Sequence, residues 1–185
     1  MFEKISDQIK NLPKPDKDLL DSLIHVKQYS KAALVFNDDS LDNHTYYVES
    51  GLLRKYVIKD GNEKTIDFYF TDEIYFPSIL EKHRKTNCFL EAIDQSIVFK
   101  LNNFEFDKIK TESPFLLKLE NFILDKAHAQ AAERLQNFQT MNATERYLNL
   151  LERNPRIVQS IALTFVASYL GINKASLSKI RSALK

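Results

Sequence analysis

Residues 164–185, TFVASYLGINKASLSKIRSALK, constrain this chain more than any other stretch, because their apolar residues, glycine and polar face fall at the spacing of two short helices meeting at a corner. Thr164 is placed to cap the first helix, and Val166, Ala167 and Leu170 make its apolar face. Gly171 tolerates the positive φ of the corner, and Ile172 plugs the angle between the helices. Asn173 caps the second helix, in which Leu177, Ile180 and Leu184 recur at i, i+3, i+7 and face the first. At 100° per residue the opposite face carries Ala175, Ser178, Lys179 and Ser182, flanked by Lys174, Ser176 and Lys185. Small residues for close approach, lysines for guanine edges or phosphates and an alanine for a thymine methyl are what a DNA major groove accepts. The blander alternative is a helical hairpin with a solvated lysine face, which the glycine alone would not exclude.

Charge sharpens this reading. The net charge of the 185 residues is only +1, but residues 142–185 hold seven Lys and Arg against two Asp and Glu, leaving nineteen against twenty-three for residues 1–141. A basic tip on an acidic body is the footprint of a module whose end meets phosphates. At 44% hydrophobic and 28% charged the composition is that of a soluble globular chain, and no apolar run approaches the ~20 residues of a membrane span. The N-terminus, MFEKISDQIKNLPKP, lacks the uninterrupted apolar core of a signal peptide, and one cysteine, Cys88, excludes an intramolecular disulfide, so a cytoplasmic location is expected.

Before residue 142 the hydrophobic period changes twice. Phe2, Ile5 and Ile9 share a helical face over residues 2–10, Pro13 and Pro15 stop it, and a second helix is expected over 16–23. From His25 the period falls to about two, with short strand candidates at 25–29, 33–36, 44–48 and 53–59. Asp60-Gly61 marks a tight hairpin into 63–70, and 89–93 with 96–101 are expected to pair around Asp94-Gln95. Strands at this spacing suggest an antiparallel barrel or double sheet. From Ser113, a cap for a helix opening on Pro114, the chain reads as helical. Leu117, Leu124, Ala131 and Phe138 repeat every seven residues, with Leu116, Ile123, Ala127 and Leu135 widening the stripe. Such a helix overshoots a small barrel, so its stripe is expected to serve both the strand domain and a second copy of the chain. Residues 139–141 break the pattern, and Asn142 with Glu145 forms a capping box for a helix over 143–153.

A strand domain, one long helix and a terminal helix-turn-helix resemble the Crp/Fnr family of bacterial transcription regulators over nearly the whole chain. The residues that carry it are Tyr47-Val48-Glu49-Ser50-Gly51-Leu52-Leu53-Arg54, Glu145-Arg146-Tyr147-Leu148 and 166–181. The resemblance implies an α+β chain in three parts: a cyclic-nucleotide-binding-like antiparallel β-roll with N-terminal helices (1–112), a long dimerisation helix and hinge (113–140), and a helix-turn-helix domain (141–185) with no evident wing. It implies a homodimer through Leu117, Leu124, Ala131, Leu135 and Phe138 that regulates genes on double-stranded DNA, meeting RNA polymerase if it is an activator. Members that bind cyclic AMP carry Gly-Glu and Arg-Ser/Thr at the phosphate and ribose, whereas this chain has Phe76-Pro77-Ser78 at the first place and Lys85 or Thr86 at the second. Proline removes a donor and no carboxylate remains for the ribose, so control by cyclic AMP is not expected; Phe68, Phe70, Tyr75 and Phe76 with Ser78, Lys85 and Thr86 are the candidate pocket for an unknown, more apolar effector. Lys174, Ala175 and Lys179 replace the family's frequent Arg-Glu-x-x-x-Arg.

No cofactor or metal is expected. His25, His44, His83 and His128 show no metal-ligand spacing, no Gly-rich phosphate loop or nucleophile motif is present, and no catalytic residue is assigned. A DNA-binding regulator is therefore favoured over an orphan β-roll sensor or protein-interaction module, and both over a β-roll enzyme.

Overall fold

The computed structural model describes residues 4–37, 43–76, 87–155, 157 and 161–184. Two helices open it, α1 (Ile5–Lys10) and α2 (Lys14–Leu23). α2 begins before the expected Asp16, because Pro13 at its N-cap and Pro15 in its first turn occupy places where no intrahelical N–H is needed. Phe2 lies outside the described residues.

Eight strands follow among the described residues: β1 (Ile24–Tyr29), β2 (Leu34–Asn37), β3 (His44–Ser50), β4 (Leu52–Lys59), β5 (Asn62–Phe70), β6 (Ile74–Tyr75), β7 (Cys88–Ala92) and β8 (Ser96–Asn102). They form two antiparallel sheets, ordered β1-β8-β3-β6 and β2-β7-β4-β5, the arrangement of a double-sheet roll. The expected pairing of 89–93 with 96–101 is corrected: β7 pairs with β2 and β4, and β8 with β1 and β3, so Asp94-Gln95 carries the chain from one sheet to the other. A short turn reads alike in either case. What decides is that Leu90, Ala92 and Val98 all face one core between the sheets. Asp60-Gly61 does close a hairpin, with positive φ at both residues and Lys59 opposite Asn62. At the other crossing, Gly51 (φ +100°) lets the β3–β4 corner touch the β7–β8 corner, since a Cβ there would stand 2.7 Å from the Gln95 carbonyl.

Tyrosines fill the roll. Tyr46, Val48, Leu53, Tyr75, Leu90, Ala92 and Val98 form its buried centre, with the Tyr46 and Tyr75 rings stacked at 5.9 Å and Tyr69 tilted against Tyr75 at 5.6 Å.

A helix not read from the sequence, α3 (Asn103–Lys110), leaves β8, capped by the Asn102 side chain, which accepts from the Phe104 N–H at 2.9 Å. α4 (Pro114–Thr140) opens on the expected Ser113 cap and, at 27 residues, spans about 40 Å. Its Leu116 and Leu119 pack with Leu20 of α2 and Phe106 of α3. α5 (Ala143–Arg153) opens on the Asn142/Glu145 capping box, both halves of which are formed. Then come α6 (Leu163–Tyr169) and α7 (Lys174–Ala183).

One apolar cluster joins the roll to these last helices. Leu52, Phe68 and Ile93 of the roll pack with Tyr147, Leu150, Ile157, Ile161, Val166, Ala167, Tyr169, Leu170 and Leu177. Strand alternation explains it: Phe68 and Phe70 lie on the face of β5 turned toward α6, while Tyr69 between them points into the roll.

Candidate nucleic-acid interface

The corner between α6 and α7 is a Schellman turn. Gly171 (φ +70°) donates to Ser168 O at 3.1 Å and Ile172 donates to Ala167 O at 3.0 Å, which ends α6 and turns the chain. A Cβ on Gly171 would stand 3.1 Å from the Phe138 ring, so glycine also admits the end of α4 beneath the corner. Asn173 Oδ1 accepts from the Ser176 N–H at 2.8 Å and starts α7. Buried Val166, Ala167, Leu170 and Leu177 hold the two helices together.

Two local expectations are corrected. Thr164 is not the cap of α6: Ala162 precedes the helix, whose first turn is set by Leu163 and Phe165 packing onto the bridging cluster, and Thr164 is an exposed residue within it. Leu184 does not face α6, because α7 ends at Ala183 and leaves Leu184 46% exposed.

Lys174, Ala175, Ser178, Lys179 and Ser182 are exposed on α7, and Ser176 is half-buried. Thr164, Asn173, Lys174 and Ser176 border one open recess with Asn62, Glu63 and Lys64 of β5. Lys185 lies outside the described residues. Sequence reasoning passed over Arg181, half-buried in the last turn of α7, although its i+3 and i+7 spacing from Ser178 and Lys174 puts it on their flank.

This unit is fastened to the roll by polar contacts as well. Ser168 Oγ accepts from the Thr65 N–H at 3.0 Å. The fully buried Arg54 of β4 meets Glu91 at 2.9 Å and pairs with Glu63, and its guanidinium lies between the Tyr56 ring, 4.2 Å away, and the Phe165 ring of α6, 3.6 Å away. Burial pushes the Glu91 carboxyl upward, and Arg54 pulls it back.

The described members of the candidate effector set fall in three environments. Phe68 and Phe70 belong to the junction with α6, Tyr75 fills the roll, and Phe76 lines a separate apolar cavity of about 60 Å³ between the outer face of the β1-β8-β3-β6 sheet and the flanking helices. Ser78, Lys85 and Thr86 lie outside the described residues. Among the described residues no group of three His, Cys, Asp or Glu side chains is placed to hold a metal, and no helix is long and apolar enough to cross a membrane. Cys88 is buried at the start of β7.

On α4, Leu117, Ala131 and Leu135 are exposed and Leu124 is half-buried, forming a face apart from Leu116 and Leu119. Phe138, seven residues after Ala131 on the same helix, packs under Gly171 and beside the Arg146 guanidinium at 4.8 Å and leaves 41% of its surface exposed.

A roll of two four-stranded sheets, a long helix and a two-helix corner is a fold that this chain shares with solved structures, one of them titled a putative transcriptional regulator of the crp/fnr family from Eubacterium rectale (TM-score 0.69, 16% identity, covering 92% of this chain and 82% of that one). The chain superposes on FixK2 from Bradyrhizobium japonicum with a TM-score of 0.72 at 18% identity, covering 87% of this chain and 84% of that one. The c-di-GMP responsive global regulator CLP of Xanthomonas campestris gives 0.70 at 14% identity, covering 93% and 91%. A CooA mutant from Carboxydothermus hydrogenoformans gives 0.69 at 16% identity, covering 95% and 82%. No family model matches the sequence, and no curated protein does.

Proposed function

We propose that this chain is a dimeric, sequence-specific DNA-binding transcription regulator of Crp/Fnr type. The observation that carries the reading is the α6–α7 corner, whose inner face is buried while Lys174, Ala175, Ser178, Lys179 and Ser182 are exposed on the outer side of a capped helix. Such a helix enters a major groove with its N-terminal residues toward base edges. The solved regulators that share the fold support it.

Dimerisation is proposed through α4, whose Leu117, Leu124, Ala131 and Leu135 form an apolar face turned away from the roll. Two copies joined there present two reader helices to a two-fold symmetric site. Cyclic AMP has no part in this reading: the roll interior is filled by Tyr46, Tyr69 and Tyr75, and the sequence has no Gly-Glu pair for phosphate and ribose at Phe76-Pro77-Ser78. The reading is tested by DNA retardation with the wild type and a Lys174→Ala/Lys179→Ala variant; equal affinities reject the assignment of α7.

A further inference from the structure

At the hinge between α4 and α5 three guanidiniums converge. Arg134 of α4 and Arg146 and Arg153 of α5 line one recess, together with the amides of Asn137 and Asn149, and Glu133 is the one carboxylate among its lining residues. Their donors are largely uncommitted. Among the described residues Arg134 meets Asp67 at 3.5 Å, and Arg153 donates to Glu73 at 3.3 Å. Arg146 donates to Met141 O at 2.6 Å and to Leu170 O at 2.9 Å, while its Nε is buried without a partner. Each guanidinium carries five N–H donors, so these contacts leave most of them free, and a buried donor without a partner is costly.

Ring faces, more than counter-ions, hold two of these side chains in place. Arg134 lies 4.4 Å from the centre of the Tyr169 ring, and Arg146 lies 4.8 Å from that of Phe138. Burial pushes the carboxyls of Asp67 and Glu73 upward, while the arginine beside each pulls it back.

We propose that this recess is a binding site for a phosphoryl group. Its free volume of about 30 Å³ takes roughly two water-sized groups, and its mouth is open, so terminal phosphoryl oxygens enter while the rest of the molecule stays in solvent. Planar forks with parallel donors suit such oxygens. A bound phosphoryl group links α4 to α5 across the hinge, through a residue, Arg146, that already ties Met141 to the α6–α7 corner at Leu170. The ligand thereby stiffens the joint between the long helix and the last helices. This site requires neither DNA nor a second copy of the chain.

The test is calorimetric titration of pyrophosphate into the full chain at low salt. Saturable binding of one pyrophosphate per chain is expected, weakened about tenfold by Arg134→Gln or by Arg153→Gln and lost in the double variant. If the double variant does not fold, Asn149→Asp carries the same test by placing a negative charge in the recess, and it is expected to abolish binding. No saturable binding to the wild type, equal affinity in these variants, or loss on Lys174→Ala/Lys179→Ala instead of the hinge substitutions overturns the assignment.

Discussion

Phe68→Ala probes whether the roll and the α6–α7 unit share one core. Phe68 is 2% exposed, and its ring lies 5.2 Å from Tyr169 of α6 and 6.5 Å from Phe70. Removing a buried phenylalanine costs about 3–5 kcal/mol in lost transfer energy and cavity, and the aromatic pair with Tyr169 accounts for about 0.5–1.5 of it. For a chain of this size each kcal/mol lowers the melting temperature by about 2–4 °C, so a fall of roughly 6–20 °C is expected. The assay is thermal unfolding at fixed protein concentration, followed by far-ultraviolet dichroism for the helices and near-ultraviolet dichroism for the tyrosines of the roll. Because Leu52, Phe68 and Ile93 sit in the same cluster as Val166, Leu170 and Leu177, both signals should shift together. A loss under about 1 kcal/mol, or a roll signal that stays put while the helical signal moves, refutes the single junction core.

Leu124→Glu places a charge on the apolar face of α4 and should yield monomers in sedimentation; a wild type that is already monomeric at micromolar concentration, or a dimer unmoved by the change, counts against the seam. Gly171→Ala forces a Cβ into a positive-φ residue and to 3.1 Å from the Phe138 ring, so it should cost about 1–2 kcal/mol in denaturant unfolding, and no loss would sink the close-approach argument. Packing around Asp67 strips water from its carboxylate and raises its pKa, an effect that Arg134 and the Phe68 N–H partly oppose. The folded state therefore keeps this proton to higher pH than the unfolded chain, and stability relative to Asp67→Asn should fall as pH rises from the ordinary carboxylate range through the raised value, then level off. A rise in the same window contradicts the burial argument.

Much of this architecture was legible because local chemistry and tertiary packing agree. The Ser113 and Asn142/Glu145 caps, the Asp60-Gly61 hairpin and the Asn173 cap are short-range signals, and all four stand in the structure. The β7–β8 connection was misread because a turn signal carries no information about which sheet the next strand joins. Thr164 misled because a capping residue type two positions past the N-cap Ala162 is outvoted when Leu163 and Phe165 fix the helix start by packing. Phe68, Phe70, Tyr75 and Phe76, which the sequence offers as core or as part of a pocket, are sent by period-two alternation and the β5–β6 turn to three environments. The Arg54–Phe165 stack and the contacts of Arg134 with Asp67 and of Arg153 with Glu73 left no local pattern, since these partners are far apart in sequence.

The measurement closest to the central claim is selection of binding sites from a random pool of DNA duplexes, followed by titration of the enriched site at two salt concentrations. The account predicts enrichment of a near-palindrome whose half-sites lie about 34 Å apart, and a Lys174→Ala/Lys179→Ala variant that binds it about tenfold or more weakly with a shallower salt slope. No sequence enriched above the pool, or an enriched site bound equally well by the variant, would contradict it.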